Sequence, residues 1–181
     1  PPYLLTNYSA VRQQCEQNVR EYYKKSVLLR NDDHFEIQFK EIFDHMAALY
    51  GLDDMQKDQL MQWEIEGELE AVIPLVPQIS LLKKYIAEGN DIVLISDMYL
   101  PKEVIVKLLQ KADPLLATLP LYVSSEVGHQ KTTRKLFLHV YSDLDYCYEK
   151  WIHIGDNRFA DQVQPEILGI QTAPIPVPEW T

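Results

Sequence analysis

Five polar residues, grouped in three clusters, combine the side chains that proteins use to hold a phosphate group beside a divalent cation. The clusters are Ser96 with Asp97, then Lys131, then Asp156 with Asp161. Each follows a short apolar run or lies in the loop after one, as expected at the carboxyl end of a buried strand. A hydroxyl can bind phosphate oxygens, an ammonium can neutralise charge on a transferring phosphoryl group, and carboxylates bind hard cations such as Mg²⁺. The set favours phosphoryl chemistry.

The same residues also have ordinary structural interpretations. Ser96 at a strand end is typical of a turn or cap, and Asp97 can cap the helix that follows it. Lys131 lies just after a glycine turn, but Lys135, one helical turn further on, is the competing candidate. Asp156 can also cap a helix, which would leave the second carboxylate of its cluster exposed. Taken singly, the residues leave both interpretations open.

Residues 75–181 alternate short apolar, β-rich runs with stretches of helical periodicity. The strand candidates are 92–95, 119–123, 151–154 and 170–175. Strands that alternate with helices form a parallel sheet covered on both faces, and ligands bind beyond the carboxyl ends of its strands. We therefore predict an α/β fold in which the three clusters lie at or near one end of the sheet.

Residues 1–74 carry little strand signal and have the pattern of helices. Apolar side chains recur at helical spacing most strongly over 39–50, where Gly51 can end the helix, and Asp53 or Asp54 can cap the next one. A pair of prolines near residue 75 marks a boundary. We therefore predict two domains, a helical one before this boundary and an α/β one after it.

Composition and charge exclude several classes of partner. The 181 residues carry a formal net charge of −10. Such an acidic surface repels nucleic acid and anionic membranes, so we expect neither as a partner. Cys15 and Cys147 lack metal-ligand spacing and predict reduced thiols in a cytoplasmic protein. The histidines share no ligand spacing either, although His129 is expected near the clusters and His153 in the core. The sequence leaves the oligomeric state open.

The segments around the three clusters resemble motifs two, three and four of the haloacid dehalogenase (HAD) superfamily. They are residues 95–101, 124–131 and 153–161, in the order of the motifs. More narrowly, they look like the HAD-like hydrolase domains found alone or fused to bacterial polysaccharide glycosyltransferases. The helical residues 1–74 are similar, more loosely, to the cap of that superfamily. The resemblance implies a Rossmann-like parallel sheet with an α-helical cap.

The resemblance also implies an activity, that of a Mg²⁺-dependent phosphatase that works through an aspartyl-phosphate. Its substrate would be a small phosphorylated metabolite, and the fused relatives suggest a phosphosugar. Ser96 and Lys131 would be catalytic and bind the phosphate, with Asp97 beside them. Asp156 would bind Mg²⁺ with support from Asp161. The cap would exclude water and select the leaving group.

The aspartate nucleophile of motif one is not found in these residues. The nearest similar segment, around Asp44, lies in a helical pattern. In the superfamily the motif-one strand lies between the strands that end at Ser96 and Asp156, and its absence would leave backbone groups unpaired. We therefore expect a segment carrying that strand to precede Pro1. The alternatives are a catalytically silent HAD-like module that binds a ligand or partner, and another α/β class.

Overall fold

The structure, a computed structural model, describes residues 6–30, 36–145 and 150–175, and most of them are helical. The helices are α1 (Tyr8–Arg30), α2 (Phe39–Tyr50), α3 (Asp54–Ala71), α4 (Val76–Ala87), α5 (Lys102–Ala112), α6 (Ser124–Val127), α7 (Lys135–Leu144) and α8 (Gln164–Ile167). The strands are β1 (Leu94–Ser96), β2 (Leu121–Val123), β3 (Ile152–Gly155) and β4 (Gln171–Pro174). Short 3₁₀ turns cover Leu116–Thr118 and Lys131–Thr133, and a π-helical segment covers Arg158–Val163. No helix within these ranges is long and apolar enough to cross a membrane.

Helix α2 ends, and helix α3 begins, at the positions that the sequence predicts. Gly51 has a φ of 64°, a left-handed conformation that glycine adopts without strain, and it ends α2. The Asp53 carboxylate accepts a hydrogen bond from the Gln56 backbone N–H at 2.8 Å, and the Gln56 side chain accepts one from the Asp53 backbone N–H. This reciprocal pair is a capping box. The predicted roles of Gly51 and Asp53 are confirmed.

The main hydrophobic core joins the helical region to residues beyond the predicted boundary near residue 75. Cys15 is buried in this core with no disulfide bond, whereas Cys147 lies outside the described residues. Burying a large apolar side chain contributes about 1.5–3 kcal/mol, so this shared core binds the helical region firmly to the rest. The division into a cap and a second domain stays a prediction. Buried members include Val11, Val19, Phe39, Ile42, Phe43, Met46, Leu60, Leu100, Val104, Ile105, Leu121 and Val123.

Arg12 forms a buried ion pair that links α1 to α3. Its guanidinium donates to both carboxylate oxygens of Glu64, with Nη2 2.7 Å from Oε1. The same guanidinium lies 5.1 Å from the centre of the Tyr99 ring and 5.6 Å from that of Phe43. Because the Arg12 and Glu64 side chains are 9% and 14% exposed, water screens this pair little. The cluster therefore fixes α1 and α3 against the loop after β1.

Arg12→Met is expected to lower the free energy of unfolding by about 3 kcal/mol, since it leaves the Glu64 carboxylate without its cation in a mostly buried position. Urea unfolding at neutral pH measures the change. The matched control is Lys40→Met, which breaks the exposed pair with Asp44 and should cost less than about 1 kcal/mol. Equal losses for the two variants would contradict the assigned importance of the buried pair.

The strands form two parallel pairs. β1 pairs with β2, with Leu94 opposite Leu121, and β3 pairs with β4, with Ile152 opposite Gln171. Each strand overlaps one of the four stretches that the sequence predicts. The apolar, β-branched runs therefore give the strand positions, and the intervening helices give the parallel direction.

Helix α7 lies against both strand pairs. On one side the His139 ring packs edge-on against Tyr122 of β2, with ring centroids 5.9 Å apart. On the other side Phe137 packs edge-on against His153 of β3 at 5.0 Å. Because the two pairs share this helix, the loops at their ends are held in a fixed relation to each other.

The predicted Rossmann-like parallel sheet is wrong. The described strands form two separate two-stranded sheets, and within this part of the chain no ladder joins β1 to β3. The apolar residues Ile92 and Val93 stay outside the ladder, so β1 is only three residues long. A sheet covered on both faces buries its strands, yet every residue of β1 is partly exposed. The described part of the chain is mainly helical, with two small parallel strand pairs.

Candidate functional site

The three predicted clusters meet at Lys131. The Asp97 carboxylate, just after β1, accepts hydrogen bonds from the Lys131 backbone N–H at 2.8 Å and 3.1 Å. The Lys131 ammonium donates to Asp161 Oδ1 at 2.5 Å, and Asp161 lies beyond the end of β3. The structure therefore brings Asp97, Lys131 and Asp161 into direct contact, and it joins the loops that follow the two strand pairs.

The backbone on both sides of Lys131 is left-handed. Gly128 ends α6 with a φ of 77°, where glycine avoids the steric cost that a Cβ would bring. Arg134, with a φ of 66°, ends the 3₁₀ turn that Lys131 begins. The Arg134 guanidinium donates to the buried Gln164 side chain at 2.9 Å. This contact helps to offset the strain of the left-handed arginine and fixes the turn that carries Lys131.

Asp161 is buried and uses both carboxylate oxygens. Oδ1 accepts from the Lys131 ammonium and lies 2.9 Å from Nε2 of His153, and Oδ2 accepts from the Asn157 backbone N–H at 3.0 Å. Burial raises the pKa of this carboxyl, but hydrogen bonds from His153 and Lys131 outweigh burial and hold the pKa well below its ordinary value. Asp161 is therefore ionised at neutral pH and acts as the anchor of the Lys131 ammonium.

Gly155 makes room for Asp161. A Cβ on Gly155 would lie 2.6 Å from Cβ of Asp161, which is closer than two non-bonded carbon atoms approach. The group that lies against this glycine is a side chain of the same loop.

Gly155→Ala is expected to destabilise the protein by about 1–3 kcal/mol, because the added methyl group forces Asp161 or β3 to shift in a packed site. Urea unfolding measures the loss. Gly67→Ala in α3 is the control, since its Cβ would meet nothing within 4 Å and alanine favours a helix by up to about 1 kcal/mol. A Gly155→Ala protein as stable as the wild type would show that the close approach is absent.

The Asp97 carboxyl lies in a different electrostatic environment from that of Asp161. Burial raises its pKa, the Lys131 backbone N–H and charge lower it, and the nearby charges of Glu36 and Asp161 raise it again, with a net upward shift. Its hydrogen bonds to Lys131 show that it positions the backbone of the lysine turn. The predicted contribution of Asp97 to phosphate binding remains untested.

Ser96 and Asp156 are the two predicted site residues whose side chains are open, meaning that they are at least partly exposed and are not engaged by other described residues. Ser96 is partly exposed at the end of β1, and Asp156 is exposed just after β3. Neither side chain has a hydrogen-bond partner within 6–30, 36–145 and 150–175. A hydroxyl and a carboxylate are therefore available to a ligand, one on the residue before Asp97 and the other on the residue after Gly155.

Few of the described side chains at the site could coordinate Mg²⁺. Among the described residues no group of three or more His, Cys, Asp or Glu side chains is placed to hold a metal ion. Asp161 already accepts from Lys131, His153 and a backbone N–H, whereas Asp156 is open. Mg²⁺ is often held by one or two protein carboxylates, with water and substrate oxygens as its other ligands. The residues present fit an ion bound through Asp156, and the predicted supporting role of Asp161 stays a prediction.

Sequence reasoning assigned His153 to core packing and overlooked its contact with Asp161. The histidine does pack on Phe137, but its Nε2 also faces the carboxylate that holds Lys131. Its position two residues before Gly155, on the same face of β3, is the signal that was available. His129, expected near the site, has a buried Nδ1 that lacks a partner among the described residues.

No protein-family model matches the chain, and no curated protein matches it. The resemblance of the three motif segments to the HAD superfamily therefore stays an expectation.

Proposed function

We propose that this chain carries the phosphate-binding site of a Mg²⁺-dependent phosphatase that acts on a small phosphorylated metabolite. The observation that supports the proposal is the placement of the Lys131 ammonium. It is fixed between the loops after β1 and β3, with its backbone held by Asp97 and its side chain held by Asp161. A lysine held so firmly between the loops that carry Ser96 and Asp156 suits a charged, oxygen-rich ligand.

Each residue has a distinct role in the proposed site. The Ser96 hydroxyl donates a hydrogen bond to a phosphoryl oxygen, and Lys131 uses N–H donors not engaged by Asp161 for the same group. The His153–Asp161 pair keeps the ammonium in place while charge moves to the phosphoryl oxygens. Mg²⁺ bound through Asp156 would supply further positive charge to those oxygens. We place the reaction in the cytoplasm, in keeping with the free thiol of Cys15.

A second candidate function, phosphate binding without catalysis, is favoured by the state of the carboxylates. Asp97 holds the Lys131 backbone, Asp161 holds the Lys131 ammonium, and the open Asp156 is assigned to Mg²⁺, so the proposed roles leave none of these carboxylates as the nucleophile. The described residues therefore assign no nucleophile. A module that only binds phosphorylated ligands needs none.

Two measurements on the same preparation separate the candidates. The first is hydrolysis of p-nitrophenyl phosphate with Mg²⁺ and then with EDTA, and the second is binding of inorganic phosphate by calorimetry. Turnover that EDTA abolishes supports the phosphatase. Phosphate binding without turnover supports the binding module, and neither turnover nor binding refutes both.

A further inference from the structure

Glu36 is a buried carboxylate in the segment between α1 and α2, and sequence reasoning gave it no role. The residue is 2% exposed. Its Oε1 accepts from the Arg20 guanidinium at 3.1 Å and from the Ile37 backbone N–H at 3.0 Å. Its Oε2 accepts from the Ser124 hydroxyl at 2.8 Å and from the Gln130 side-chain amide at 3.1 Å. Both oxygens are fully used.

Two of the residues that donate to Glu36, Ser124 and Gln130, connect it to the candidate site. Gln130 immediately precedes Lys131. Ser124 Oγ in turn accepts a hydrogen bond from the Met98 backbone N–H at 2.8 Å, and Met98 immediately follows Asp97. The Glu36 carboxylate thus binds Gln130, next to Lys131, and is linked through Ser124 to Met98, next to Asp97. It holds both segments that the hydrogen bonds between Asp97 and Lys131 join.

We propose that Glu36 is a positioning residue, which sets the approach of the Asp97 loop to the Lys131 turn and so fixes where the Lys131 ammonium points. This inference rests on the proposed function in that it assigns Glu36 to the phosphate-binding site. Glu36 belongs to the helical region, whereas Asp97 and Lys131 follow the predicted boundary. A single carboxylate therefore couples the arrangement of the helices to the geometry of the site.

The alternative is that Glu36 only stabilises the fold, as many buried carboxylates do. Glu64 provides the comparison, because it also lies in the helical region and is held by an arginine and a hydroxyl, those of Arg12 and Tyr8. Among the described residues, its hydrogen-bond partners do not include any residue next to Asp97 or Lys131, and its arginine contacts the loop after β1 through the Tyr99 ring. A purely structural role predicts similar behaviour for Glu36 and Glu64, and a positioning role predicts a difference at the site.

The test compares Glu36→Gln with Glu64→Gln. The amide keeps the size of the carboxylate, but it presents N–H donors where Glu36 accepts from Ser124 and Gln130. Two quantities are measured in each variant: the NMR chemical shift of the Lys131 backbone amide without ligand, and the dissociation constant for inorganic phosphate. If Glu36→Gln does not fold, Gln130→Met replaces it in the test, because it removes one of the hydrogen bonds to Glu36.

Glu36→Gln is expected to move the Lys131 amide resonance upfield, as its hydrogen bond to Asp97 lengthens, and to weaken phosphate binding about tenfold. Glu64→Gln should lower the melting temperature but leave both quantities unchanged. An unchanged Lys131 resonance in Glu36→Gln, or equal changes in the two variants, would overturn the positioning role. If the resonance moves but the wild-type protein binds no phosphate, the positioning role stands and the proposed function fails.

Discussion

Lys131→Met is expected to lower kcat for phosphate ester hydrolysis at least ~10²-fold, if the protein turns over such esters. Methionine matches the unbranched stem of lysine, with sulfur in place of one methylene group, and lacks the ammonium. The loss falls on kcat because the interaction between ammonium and phosphoryl oxygens strengthens as negative charge develops in the transition state. In a module that only binds phosphate, the same substitution would weaken binding and so increase the dissociation constant for phosphate.

The control for this prediction is Lys135→Met. Lys135 begins α7, one turn beyond Lys131, and is the other lysine that the sequence offers for the role. The structure places the ammonium of Lys131, and not that of Lys135, against Asp161. Steady-state kinetics and thermal unfolding on both variants give the comparison. Loss of activity in Lys135→Met with normal activity in Lys131→Met would refute the assignment.

Local signals in the sequence predicted helix ends and the positions of the described strands, because such signals act over a few residues. The glycine at position 51 and the carboxylate of Asp53 determine helix ends through their own backbone and their nearest neighbours. The apolar runs before Ser96 and Gly155 form strands where predicted. Asp97, Lys131 and Asp161 also meet, but β1 and β3 belong to separate strand pairs, so the edge of one common sheet does not account for the meeting.

Long-range contacts account for what the sequence did not predict. A short apolar run indicates a strand but not the ladder that it joins, and here β1 and β3 belong to separate pairs. The contact between Glu36 and Ser124 joins residues 88 positions apart, and that between Arg12 and Glu64 spans 52. No periodicity links such residues, so their partnership follows only from the packing of helices against strands.

Asp161→Asn is expected to produce the largest loss of stability, about 3–5 kcal/mol at neutral pH. The substitution leaves the Lys131 ammonium mostly buried without its counter-ion, and it places an amide where the carboxylate accepts from three donors. Urea unfolding measures the loss. Asp54→Asn is the matched control, because the Asp54 side chain is 96% exposed and its pair with Lys57 should contribute less than about 1 kcal/mol.

The pH dependence of the stability of Asp161→Asn tests whether the loss arises from the missing charge of Asp161. The pKa of Asp161 is lower in the folded protein than the ordinary value of about 4 that it has when unfolded, so the unfolded state binds its proton first as pH falls. The stabilisation is therefore present above about pH 4 to 5 and is lost as pH falls further. Wild type and Asp161→Asn should converge in stability as pH falls from 7 towards 3. A difference that stays constant over this range would show that the loss arises from packing and not from the charge of Asp161.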